Sequence, residues 1–324
     1  MSHRRRLLQA LGTATLVSVT LRAGWAETYP VRPVRIIVGF APGGNFDTVA
    51  RVLAERMSER LAQPVLVENR PGAASNIAAE AAVRAPADGY VLFVGGAANA
   101  INATLYDKLS FNFATDLAPV AAAIQFPNVM TVDASFPAKS VPEFIAYAKS
   151  NPGKINHGSS GTGTTQHLAG ELFKATTGVS FVHVPYRGGS QALADMLAGQ
   201  VQVLFESLPV SMPHIKSGQL RALAVTSAAR SDALPDTSAM GEFLAGYEAS
   251  GWAGFCAPRR MPAPVVEKLN MAINDTLADP AVKARLSGLG ATVLGGSPDD
   301  FGKLIVRETE KWARIIKAGN IKAD

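Results

Sequence analysis

Val34-Arg35-Ile36-Ile37-Val38-Gly39-Phe40-Ala41-Pro42-Gly43-Gly44-Asn45-Phe46-Asp47 is the stretch that decides the fold. A β-branched run followed by Ala-Pro-Gly-Gly reads as a buried strand that enters a sharp loop. From Phe46 the apolar spacing turns helical, with Phe46, Val49, Ala50, Leu53, Met57 and Leu61 on one face. Strand, glycine loop and helix in that order form the unit of a parallel sheet covered by helices. The alternation continues with a strand at Val65 to Val67, a helix from Asn76 to Arg84 and a strand at Tyr90 to Val94.

It restarts after Pro119. Val129 to Val132 reads as a strand, and Ser140-Val141-Pro142-Glu143 has the Ser-x-x-Glu form of a capping box, which starts a helix running to about Lys149. Strands are expected at Lys154 to His157, Ser180 to Val184, Val201 to Phe205, Leu220 to Thr226 and Trp252 to Ala257. Helices are expected from about Thr164, Ser190 and Pro209, and the C-terminal part reads as mostly helical, with amphipathic stretches at Pro264 to Leu277 and Pro298 to Lys317. A chain of 324 residues suits two packed units. No low-complexity linker separates them, a pattern of units that share crossover strands and hinge as rigid bodies.

The N-terminus reads differently. His3-Arg4-Arg5-Arg6, an apolar stretch from Leu7 to Leu21, and Gly24-Trp25-Ala26 make up a charged start, a hydrophobic core and a small-x-small cut, so residues 1–26 read as a secretory signal peptide with a loose twin-arginine likeness. The alternative, an uncleaved anchor, is opposed by the short apolar stretch and by Arg22. Removing Arg4, Arg5, Arg6 and Arg22 takes four of the five net positive charges with it, and no acid leaves with them. A mature chain at +1 without a basic block argues against nucleic acid as a partner. The one cysteine, Cys256, excludes a disulfide framework or a thiol metal site.

Two glycine-rich loops lead into helices: Pro42-Gly43-Gly44-Asn45-Phe46-Asp47 and Gly158-Ser159-Ser160-Gly161-Thr162-Gly163-Thr164-Thr165. Such loops let an anion approach main-chain N–H groups where a helix start adds partial positive charge. One in each unit, facing across a cleft, would hold a carboxylate between Gly43 and Gly44 on one side and Gly163 on the other. Nucleotide and hydrolase motifs fail in the second loop: no Lys follows the last glycine, Gln166 stands where a GxGxxG would close, and Thr162 stands where a nucleophile elbow needs glycine. His157, His167, His183 and His214 show no metal spacing, so neither a metal nor another cofactor is expected. Of these, His167 could point a ring N–H at an anion from the first turn after the loop. Asp47 favours its own helix N-terminus, or else contacts the ligand. Val184-Pro185-Tyr186-Arg187-Gly188-Gly189 fits a further cleft loop, and Asn76 is a natural N-cap and secondarily a ligand contact.

Phe40-Ala41-Pro42-Gly43-Gly44-x-x-Asp47, Glu68-Asn69-Arg70-Pro71-Gly72, Ala87-Asp88-Gly89-Tyr90, Gly161-Thr162-Gly163-Thr164-x-x-His167 and His183-Val184-Pro185-Tyr186-Arg187-Gly188 together resemble the Bug family, the Bordetella uptake gene receptors of tripartite tricarboxylate transporters. The likeness covers almost the whole mature chain. It implies an α/β, two-domain periplasmic-binding-protein fold of type II, with two crossover strands and a ligand cleft between the domains. The domains implied are residues 27–124 with 252–324, and residues 125–251. It also implies an extracytoplasmic place, no enzymatic activity, and a carboxylate held by main-chain amides and ordered water. The ligand contacts implied are Phe40, Gly43, Gly44, Asp47, Ser160, Thr164, His167 and Tyr186, extended to Asn76 and Glu206. The partners implied are a small carboxylate (a di- or tricarboxylate, an acidic amino acid or an aromatic acid) and the permease subunits, with the receptor itself a monomer. The chain departs from the family pattern at Phe46, where a small residue is usual, at Ala74-Ser75, where glycine is common, and at Glu206, which stands in place of Asp. Phe46 and Phe40 are expected to stack on an aromatic or extended acid. Two rival readings are a periplasmic hydrolase built on Ser160, His167 and a carboxylate, and a receptor that presents its ligand to a sensor protein.

Overall fold

The computed structural model describes residues 29–323, so the segment read as a signal peptide lies outside the described residues. The chain opens with strand β1 (Val34–Val38), helix α1 (Asn45–Leu61), β2 (Val65–Asn69), a 3-10 turn (Ala73–Ser75), α2 (Asn76–Val83), β3 (Val91–Gly96), α3 (Ala97–Leu105) and a short α4 (Phe113–Asp116). The long β4 (Leu117–Asp133) leads to α5 (Val141–Ser150), β5 (Asn156–Ser159), α6 (Thr165–Thr177), β6 (Val182–Pro185), α7 (Gly189–Leu197), β7 (Val203–Ser207), α8 (Leu208–Lys216) and β8 (Leu220–Val225). It closes with β9 (Ser250–Pro258), α9 (Ala263–Ala278), α10 (Pro280–Gly288), β10 (Thr292–Val293) and α11 (Pro298–Ala318).

The strands run in the order β2-β1-β3-β9-β4-β7-β5-β6, with β8 and β10 also on β4. The parallel pairs are those expected from βαβ units: β1 with β2 and β3, and β5 with β6 and β7. β9 and β4 are antiparallel to their neighbours and join the two halves. From Leu117 to Pro127, β4 pairs with β9; from Asn128 onward it pairs with β7 and β8. The handover is braced by buried polar groups. Asn128 N–H donates to Thr226 Oγ1, Asn128 Nδ2 donates to the Ala249 carbonyl, and Thr226 Oγ1 lies within bonding distance of the Asn128 and Ala249 carbonyls. Both strands thus cross between the halves at one hydrogen-bonded point, which is the two-crossover architecture anticipated from the sequence.

Apolar faces pack as the periodicities require. Ile36, Val38, Leu53, Met57, Leu92 and Phe255 share one cluster, and Met130, Phe144, Phe173, Val203 and Phe205 share another. α3 and α11 reach into the cores of both halves. Ala97, Ala100, Phe301 and Ile305 belong to a first-half cluster, whereas Ile101, Leu105, Trp312 and Ile316 pack with the second-half residues.

Local details depart from expectation in three places. Ser140 Oγ accepts from Glu143 N–H, but the Glu143 carboxylate reaches the N–H of Lys139, one residue before the cap. Asn76 is the first helical residue of α2 and not its N-cap; Ser75 caps it at φ 76°. Ala73 and Ala74 both lie at φ 46°, a left-handed backbone that costs an L-residue about 1–2 kcal/mol and that glycine would adopt freely. The glycine usual in the family at this turn therefore has a conformational reason.

Candidate functional site

Between the halves lies a narrow cavity lined by Phe40, Gly44, Asn45, Phe46, Ala97, Ala98, Phe126, Ser160, Thr164, Thr165, Gln166, Gly189, Glu206 and Trp252. Among the described residues, four helices begin at its wall: α1 at Asn45, α3 at Ala97, α6 at Thr165 and α7 at Gly189. Each start brings N–H groups without intrahelical partners and roughly half a positive charge. Three of the four, α1, α3 and α7, are preceded by glycine (Gly44, Gly96, Gly188), which has no side chain to accept from those donors. Only α6 carries a side-chain cap, Thr164 Oγ1 accepting from His167 N–H. Two side-chain donors on the wall, Asn45 Nδ2 and Trp252 Nε1, are buried without a hydrogen-bond partner among the described residues. No Lys or Arg lines the cavity. The side of the site away from Glu206 therefore attracts negative charge through oriented dipoles and N–H donors without a cationic side chain.

Four aromatic rings also line the cavity. Phe40 and Phe46 meet at 4.9 Å between ring centroids, and Trp252 and Phe126 come from the two crossover strands. Gly96 makes room for Phe46, since a Cβ there would sit 2.5 Å from Cζ of the ring.

Of the residues singled out in the sequence, Phe40, Gly44, Phe46, Ser160, Thr164 and Glu206 line the cavity; Gly43, Asp47, Asn76, Gly163, His167, Tyr186 and Gly188 are not among its lining. Asp47 accepts from Gly43 N–H at 2.9 Å, from Arg51 and from Asn69 Nδ2 at 2.8 Å, which ties the loop to the helix it precedes. Burial alone would raise its carboxyl, but these donors hold it below the ordinary carboxylate range. Asn76 Oδ1 accepts from Asn102 Nδ2 under α3. The Tyr186 hydroxyl donates to Asp195, and burial together with that bond pushes it up to about 12.

The first glycine loop lies against the third loop: Ala41 N–H donates to the Arg187 carbonyl at 3.2 Å, Ser190 Oγ to the Pro42 carbonyl at 3.2 Å, and Gly188 packs on Ala41. The second glycine loop lies against α3, where Gly163 faces Asn102 and the Tyr106 hydroxyl donates to the Thr162 carbonyl. The two loops thus meet around one cavity, through Gly44 and Thr164 on its wall.

His167 does not face this space. It stacks on His183 at 4.2 Å, accepts from Gly163 N–H through Nδ1, and belongs to a histidine group with His157, whose burial holds it well below the usual imidazole range. Ser160 Oγ donates to Glu206 at 3.0 Å, so it forms no nucleophile–base pair with His167. Among the described residues no group of three His, Cys, Asp or Glu could hold a metal ion.

Asn45, Phe126, Thr165, Gln166, Gly189, Trp252 and the start of α3 line the site without having been singled out in the sequence. Asn45 and Gln166 each stand within three residues of a glycine of the two loops, which is the signal that could have found them. Thr165 and Gly189 carry the same signal, since one lies two residues after Gly163 and the other closes the third loop; nothing local marks Phe126, Trp252 or the start of α3.

Residues 49–321 match the model of the tripartite tricarboxylate transporter family receptor. The chain is 35% identical over 323 residues to a UPF0065 protein from the tcbD-tcbE intergenic region of Pseudomonas sp. strain P51, covering 99% of this chain and 96% of that one. The structure of the periplasmic binding protein BugD superposes with a TM-score of 0.89 at 33% identity, covering 91% of this chain and all of that one. Rpa4515 of R. palustris, solved with adipate, superposes with a TM-score of 0.88 at 36% identity over 91% of this chain and 99% of its own.

Proposed function

Because this chain belongs to the tripartite tricarboxylate transporter receptor family, whose members are solute-binding receptors and not enzymes, we propose that it captures a small carboxylate in the cavity between its two halves and hands it to membrane permease subunits. The convergence of four helix starts on one cavity that also holds two unpartnered buried donors, Asn45 Nδ2 and Trp252 Nε1, carries this reading. Main-chain donors at a helix start recognise an anion without a cationic side chain, and the Phe40, Phe46, Phe126 and Trp252 wall suits an aromatic or extended body behind the acid group. The relative solved with adipate supports a carboxylate ligand.

Capture works by closure. The two domains are residues 27–124 with 252–324, and residues 125–251, and they hinge at the brace of Asn128, Thr226 and Ala249. The contacts Ala41 to Arg187, Ser190 to Pro42 and Tyr106 to Thr162 would form as the cleft shuts. Closure around the anion presents the face that a permease recognises. Residues 1–26 direct export and are removed, which places the mature receptor in the periplasm; N-terminal sequencing of periplasmic protein should then begin at Glu27.

Calorimetry and thermal unfolding of the purified mature chain with straight-chain and aromatic acids test the function. At a hundred times Kd, a bound acid should stabilise the fold by about 2.7 kcal/mol, with the acid recovered unchanged. If no carboxylate binds while the corresponding neutral amides do, the reading fails.

A further inference from the structure

The cavity is electrostatically lopsided. The wall supplied by the first half, from Phe40, Gly44, Asn45, Phe46, Ala97, Ala98 and Trp252, holds no acid. The wall supplied by the second half holds Glu206, a carboxylate only 2% exposed at the end of β7.

Glu206 already has the partners that an anion would seek there. Its Oε1 accepts from Gln166 Nε2 at 3.0 Å, from Ser207 N–H at 2.8 Å and from Ser207 Oγ at 3.0 Å. Its Oε2 accepts from Ser160 Oγ at 3.0 Å. Gln166 lies in the first turn of α6, Ser207 caps α8, and Gly189 opens α7 so close that a Cβ there would sit 2.4 Å from Oε2. Burial pushes the Glu206 carboxyl above the ordinary carboxylate range, and the hydrogen bonds from Gln166, Ser207 and Ser160 offset part of that rise; three helix starts and four donors therefore converge on a carboxyl group that belongs to the protein. A carboxylate offers about four acceptor positions. Oε1 receives three hydrogen bonds and Oε2 one, so Oε2 keeps acceptor capacity on the wall of the cavity.

We propose that Glu206 is a built-in anion filling the second half of the site, so that the receptor selects a monocarboxylate with a hydrogen-bond donor, a hydroxyl or an ammonium, at its far end, and disfavours a dicarboxylate of the same length. The inference rests on the carboxylate-capture reading and adds an orientation to it. The ligand's acid group lies at the starts of α1 and α3, beside Asn45 Nδ2 and Trp252 Nε1, its apolar body lies against Phe40 and Phe46, and its donor reaches Oε2 of Glu206. A second carboxylate in that place would face the Glu206 carboxyl with little water between them, and the two could not both be ionised without cost. A bare methyl end would leave Oε2 unpaired.

Calorimetry on the wild-type protein with adipate, hexanoate, and the terminal hydroxy and amino acids of the same chain length decides the matter. The hydroxy or amino acid should bind about tenfold or more tighter than both adipate and hexanoate. In Glu206→Gln, of nearly the same shape, the adipate deficit should shrink by about tenfold or more; a thermal melt confirms that the variant is folded, and the wild-type comparison stands without it. Adipate binding the wild type as tightly as the hydroxy and amino acids would overturn the proposal while leaving carboxylate capture intact. So would hexanoate matching them. Binding of none of the four, nor of any other carboxylate, would fell the underlying function and this inference with it.

Discussion

Replacing Asn45 separates ligand recognition from stability, because its amide nitrogen is buried on the cavity wall without a partner among the described residues. A buried donor left unpaired costs a folded protein about 1–3 kcal/mol. Asn45→Ala removes that cost from the ligand-free protein and puts a better helix former in the first turn of α1, so its melting temperature should hold or rise. Toward a carboxylate, the same nitrogen supplies a hydrogen bond to a charged group worth about 1.5–3 kcal/mol. At about 1.4 kcal/mol per tenfold, affinity for the best acid should fall by about 12- to 150-fold. Asn45→Asp sharpens the contrast. It keeps the shape and gains about 0.3–1 kcal/mol as a first-turn acid, yet it sets a negative charge against the ligand, so its affinity loss should exceed that of alanine. Calorimetry paired with ligand-free thermal unfolding reads both quantities. Wild-type affinity in either variant would refute the reasoning, as would losses of stability that account for the losses of affinity.

Other perturbations test the supports of the site. Thr226→Val removes the hydroxyl that braces Asn128 and Ala249 at the crossover and should destabilise by about 2 kcal/mol or more; an unchanged melting temperature would show that the brace is dispensable. Ala74→Gly should stabilise by up to about 1 kcal/mol, since relief of the left-handed conformation at φ 46° and ψ 52° outweighs the chain entropy that glycine adds to the unfolded state, and a lowered melting temperature would contradict it. Asp47→Asn tests the loop anchor by pH. The folded-state carboxyl is held below its ordinary value, so Asp47 contributes stability above the unfolded carboxylate range and loses it as pH falls through the folded value. The gap between wild type and Asp47→Asn should therefore be full near neutrality and close on acidification; a gap that persists at low pH would mean that the charge is irrelevant.

The strand, glycine loop and helix units were legible because each has its own period. Val34 to Val38 forms β1, and Val49, Leu53 and Met57 are buried on α1 as their spacing requires. α3 was not, because in Ala97 to Leu105 seven of nine residues are buried on all sides and a helix enclosed all round shows no polar stripe to read. The same enclosure hid its role, since its start is one of the cavity's four. β4 was recognised only at Val129 to Val132, because Pro119 read as a break although it and Pro127 both lie within the strand. Glycine loops announced half of the site. Trp252, Phe126 and Glu206 lie on strands whose inward direction depends on register with partners far along the chain: Glu206 meets Gln166 across 40 residues and Ser160 across 46.

A crystal structure with a bound acid, chosen from the calorimetric panel, tests the central claim most directly. The carboxylate oxygens should lie about 2.7–3.2 Å from Asn45 Nδ2 and from main-chain N–H groups at the starts of α1 and α3, with the body of the acid against Phe40 and Phe46. An acid group bound outside this cavity, or held by a Lys or Arg side chain in place of helix-start donors, would contradict the account.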